Sequence, residues 1–127
     1  MEINNLTIDA AQEAREKIKI DIDIIRVQKS RISIELDKNK STLKKIKEDK
    51  KYKLKEIQTQ INKAPTKYLK DSKRKTKDSS SKGFDSKIRS YESKILDLKN
   101  EINNKSETIS RLRIILRKIN IHINNIK

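Results

Sequence analysis

The stretch IRSYESKILDLKNEINNKSETISRLRIILRKINIHINNI, residues 88–126, decides the fold. Its Ile88, Tyr91, Ile95, Leu98, Ile102, Lys105, Ile109, Leu112, Leu116, Ile119, Ile123 and Ile126 follow one another in alternating steps of three and four. Residues at that spacing share one face of a helix, and a seam sustained this long is the signature of a coiled coil. Lys105 is its one polar break, of the kind that sets register or oligomer state. Asp85 or Ser86, just after Gly83, is placed to cap the start.

The N-terminal half repeats the pattern less regularly. Ile18, Ile22, Ile25, Ile32, Leu36, Leu43 and Ile46 fit one register, interrupted by Lys29 and Asn39. Ile46, Lys50 and Leu54 then step by four and four, a stutter that locally unwinds a supercoil. Leu54, Ile57, Ile61, Ala64 and Tyr68 resume the seam, with Tyr68 and Tyr91 read as packing residues. Asp9 with Gln12 resembles a capping box, and Pro65 ends or kinks this helix near Ala64. Two short segments, 18–24 and 119–123, also alternate Ile with polar residues at period two, which leaves a short intermolecular strand open as an alternative.

Between the two seams lies KDSKRKTKDSSSK, residues 70–82, without one apolar side chain. It reads as a solvated loop, and three regions follow: 1–69 a long helix, 70–84 a flexible basic loop, 85–127 a coiled-coil helix. The expected fold is all-α, an antiparallel coiled-coil hairpin. With the turn centred near residue 77, Ile126 lies opposite residue 28 and the Ile-rich segment 9–27 overhangs without a partner. An apolar overhang of that kind calls for a homo-oligomer assembled through Ile18, Ile22, Ile25, Ile115, Leu116, Ile119 and Ile123.

Composition excludes much else. The 127 residues include one Gly and one Pro, too few for the turns of a sandwich, a barrel or a doubly wound sheet. There is no Cys and only one His, so neither a thiolate nor a multi-histidine metal site forms within one chain. One Gly also leaves no phosphate-cradling loop, and no nucleophile or metalloprotease motif is present. The chain reads as a non-enzyme without a cofactor. His122 lacks a second ligand at metal spacing and reads as a surface or interface residue. Met1–Ala14 has neither a basic n-region nor an apolar run, and no stretch approaches a membrane span, so the expected location is cytoplasmic.

Charge carries the functional signal. Thirty-three Lys and Arg against eighteen Asp and Glu give a net charge of +15. The surplus is uneven: residues 1–37 are net −2, residues 38–87 net +12 and residues 88–127 net +5. A Lys- and Ile-rich coding bias inflates lysine everywhere, but it does not place the surplus in one region. Lys44, Lys47, Lys51 and Lys55 step by three and four, so they share a helix face that can follow a phosphate backbone. Lys50, Lys53, Lys67, Lys73, Arg74, Lys75 and Lys77 extend the basic field toward the expected tip, and Tyr52, between Lys51 and Lys53, is placed to stack on a base. Lysines supply point charge without bidentate base readout, so the expected binding is sequence-nonspecific. Two readings compete: a nucleic-acid binder, and a structural or scaffolding coiled coil whose basic tip docks an acidic protein. A membrane-surface helix ranks last, because Trp is absent and Phe84 stands alone.

Residues 91–99 (YESKILDLK) with 112–120 (LRIILRKIN), and the basic, tyrosine-bearing KYKLK at 51–55, resemble the UvsY family of tailed-phage recombination mediators. The resemblance implies a small helical oligomer that binds single-stranded DNA and helps load a recombinase during recombination or replication. The chain departs from that family in having no Gly-containing turn after the basic segment and no aromatic residues near residue 127.

Overall fold

The computed structural model describes residues 2–127; the first residue of the expected 1–69 region lies outside the described residues. A short 3-10 turn at Ile3–Asn5 precedes two long helices, α1 (Ile8–Lys63) and α2 (Lys67–Ile126). The fold is all-α, with no strand among the described residues, so the two Ile-alternating segments are helical. No described helix is long and apolar enough to cross a membrane.

Local chemistry explains the helix ends. Thr7 caps α1: its Oγ1 accepts from the amide of Ala10 at 3.2 Å, leaving Asp9 in the first turn where its charge complements the helix dipole. The expected capping pair, Asp9 with Gln12, is therefore displaced by Thr7. α1 stops where Pro65 removes a donor and disfavours helical backbone at Ala64; the amide of Ala64 closes on the carbonyl of Ile61 at 3.2 Å. Thr66 opens α2 at once, its Oγ1 accepting from the amide of Leu69 at 3.2 Å.

The turn thus lies at 64–66, and the expected flexible loop at 70–84 is helix. Lys and Arg are good helix formers, Arg74 Nη1 pairs with Asp71 Oδ1 at 2.9 Å across one turn, and half-buried Lys77 donates from Nζ to Gln58 Oε1 of α1 at 2.8 Å. The seam of α2 continues above Ile88 through the half-buried Phe84, Ser81 and Lys77, and a heptad further Lys70. Long lysine stems pack along apolar surface while their ammonium groups stay wet, so this half of the seam needs no aliphatic residue. Asp85 and Ser86 cap nothing, and Gly83 sits in mid-helix at negative φ with open space where a Cβ would stand. Gly83→Ala is expected to raise stability by about 0.5–1 kcal/mol, read as a higher urea midpoint.

The chain divides into two compact units, one of residues 1–34 with 98–127 and one of 35–97. The second is a helical hairpin closed by the turn. Ile57, Ile61 and Ile95 are buried in it, and Lys50 Nζ meets Asp85 Oδ1 at 2.5 Å across the two helices. That pair accounts for a lysine at the stutter of the α1 seam.

In the first unit the other ends of the two helices run antiparallel. Ala11, Ile119 and Ile123 form its buried cluster, with Ile3, Leu6, Ala14 and Ile18 packed around it. His122, expected at a surface or an interface between chains, is buried here, and its Nε2 donates to the carbonyl of Leu6 at 2.8 Å, tying the N-terminal turn to α2. The expected overhang does not exist. Moving the turn back from residue 77 gives segment 9–27 its partner within the chain. Ile22, Ile119 and Ile123 are buried in the intrachain seam, Ile18, Ile25 and Leu116 are half-buried there, and of the seven expected assembly residues Ile115 alone is exposed.

Candidate nucleic-acid interface

The hairpin unit, residues 35–97, holds twenty basic against ten acidic side chains. Among the described residues only two of the twenty, Lys50 and Arg74, have a carboxylate within 4 Å. The other eighteen cations have no carboxylate within 4 Å among the described residues, and they outnumber the unit's remaining eight carboxylates.

On one flank of α1 the helical spacing brings Lys40, Lys44, Lys47 and Lys51 around Leu43 and Glu48 into a single shallow groove. Four ammonium groups spaced along three helical turns cover about 16 Å of axis. Lys44, Lys47 and Lys51 therefore lie where their spacing places them. Lys55 continues the same steps and is exposed, and Lys40, from the same basic run, joins the group.

The remaining expected residues divide. Lys67, Lys73 and Lys75 are exposed on the first turns of α2. Lys50 and Lys77 are turned into the seam, held by Asp85 and Gln58, and Arg74 is spent on Asp71. Tyr52 is 73% exposed but does not share the lysine groove. It lines another, about 460 Å³, with Lys53, Asp49 and Glu56 of α1 and Ser80, Gly83, Phe84 and Lys87 of α2. Phe84 beside Tyr52 was invisible in the sequence, because the pair forms only once α2 runs back along α1. Tyr68, expected in the seam, is exposed because the helix breaks before it. Tyr91 is half-buried with the Lys94 ammonium 4.6 Å from its ring centre, a cation–π contact.

Chemically the arrangement offers point charge and one exposed aromatic ring, Tyr52, with the half-buried Phe84 lining the same groove. It has no grouping of His, Asp or Glu that would hold a metal ion among the described residues. The chain matches no family model, no curated protein and no solved structure.

Proposed function

We propose that this is a non-catalytic protein that binds nucleic acid through backbone phosphates, with the Lys40–Lys55 flank of α1 as the principal contact. The observation that supports it is the group of eighteen basic side chains in the hairpin unit without a carboxylate partner, four of them aligned in one groove. Such a field releases counterions from a polyanion and gives salt-dependent affinity. Single-stranded DNA is the favoured ligand, because exposed Tyr52 beside Phe84 offers a stacking surface that a duplex cannot use. A recombination or replication accessory role in the cytoplasm, with a recombinase as protein partner, follows the UvsY resemblance and belongs to this reading.

The test is fluorescence anisotropy with labelled single- and double-stranded oligonucleotides across a salt series. Four phosphate contacts to a single strand give a slope near −2.8 in log–log form, so affinity falls about fifty-fold between 50 and 200 mM salt. Substituting Lys44, Lys47, Lys51 and Lys55 by Glu is expected to abolish binding while circular dichroism stays unchanged. Binding that is equal for every oligonucleotide and gone at physiological salt overturns the reading. The scaffold alternative, a basic surface docking an acidic protein, would then take its place.

A further inference from the structure

α1 carries a second apolar stripe outside its seam with α2, whose last member, Ile34, also borders a groove with Ile109 and Arg113 of α2. Ile20, Ile24, Val27 and Ile34 are 58, 51, 51 and 57% exposed. Each follows a seam residue (Ile18, Ile22, Ile25 and Ile32) by two positions, which is about 200° around the helix. Single exposed aliphatic residues are ordinary on a protein surface. Four in one stripe at steps of four, three and seven, in a chain that is 40% charged, mark a face that another helix covers. None of the residues first expected to assemble copies belongs to it.

We propose that this stripe is the interface between two copies of the chain, packed antiparallel across a twofold axis at Val27. A twofold axis requires a surface that reads the same in both directions. Ile20 and Ile34 stand seven residues to either side of Val27, and Asp23 and Arg31 stand four to either side. Antiparallel packing therefore sets Ile20 beside the partner's Ile34, Ile24 beside the partner's Ser30, and Asp23, which also contacts Arg26 of its own helix at 3.7 Å, beside the partner's Arg31, each contact occurring twice. Parallel packing in register would oppose Asp23 to itself and Arg31 to itself, and like charges brought together on a desolvating surface reject that arrangement. Four aliphatic side chains per copy make a small interface, so the dimer has to be sought at high protein concentration. The inference stands independently of nucleic-acid binding.

The chain has no cysteine, so an introduced one is a clean probe. Under mild oxidation V27C is expected to form a disulfide between copies, because a residue on the axis meets its own counterpart. I20C alone is expected not to, since its counterpart lies fourteen residues along the antiparallel helix, about 21 Å away and beyond the ~7 Å reach of a disulfide. Mixing I20C with I34C is expected to cross-link the two. Sedimentation equilibrium of the unmodified chain should show a dimer, and Ile24→Lys should shift it to monomer by at least ten-fold in dissociation constant at unchanged helicity. A monomeric parent chain at about 100 µM, V27C that fails to cross-link, or I20C that cross-links with itself as readily as V27C would each overturn the proposal.

Discussion

Ile119→Ala is expected to cost the first unit about 2–4 kcal/mol. Ile119 is 1% exposed and packs with Ala11 and Ile123. Truncating a buried Ile loses its transfer free energy and leaves a cavity, a combination that runs to about 2–5 kcal/mol in well-packed interiors. This cluster has three fully buried members, so it relaxes more readily than a large core, and the value falls in the lower part of that range. Ile121→Ala, two positions along, is the control. Ile121 is exposed, and its loss is expected to change stability by less than about 0.5 kcal/mol. Urea unfolding followed at 222 nm separates the two variants by their midpoints. Equal midpoints would mean that Ala11 and Ile119 do not meet in solution.

Ser79→Pro is expected to destabilise the hairpin unit by about 3 kcal/mol or more. Ser79 is exposed and lies well inside α2, so the substitution removes no side-chain contact and acts on the backbone alone. In a helix interior Pro deletes one hydrogen bond and clashes with the preceding turn. In a flexible loop the same substitution is neutral or slightly stabilising, because it restricts the unfolded chain. The sign of the change in urea midpoint therefore reports directly whether residues 70–84 are helix.

That segment also marks the limit of what the sequence shows. The seam from Ile88 to Ile126 was legible because apolar residues repeat there with Lys105 as the single break, and the end of α1 was legible in Pro65. Residues 70–82 were not, because their share of the seam is built from lysine stems and serines, and counting apolar positions is blind to both. Helices of this kind form through tertiary cover more than through their own propensity. The misplaced turn then carried through to every pairing, leaving an overhang that the chain in fact covers. The basic face was legible wherever helical spacing alone decides it, at Lys44, Lys47 and Lys51. Lys50 and Lys77 were not, since what holds them, Asp85 and Gln58, comes from the other helix. Tyr52 was found, but its neighbour Phe84 depends on the same turn.

The turn at Ala64–Thr66 has a consequence for synthesis on the ribosome. α1 is synthesised before any of its partner exists. As α2 follows, Lys77 reaches back across 19 residues to Gln58, then Asp85 across 35 to Lys50, and His122 across 116 to Leu6. Each newly made turn finds its counterpart waiting, and the closure entropy added at each step is small because it grows only logarithmically with loop length. At about 5–20 residues per second the sixty residues of α2 take roughly 3–12 s to make. Through that interval the Ala11 end of α1 shows both of its apolar stripes to water. The residues that finally shield one of them, Ile119 and Ile123, are among the last of α2 to be translated.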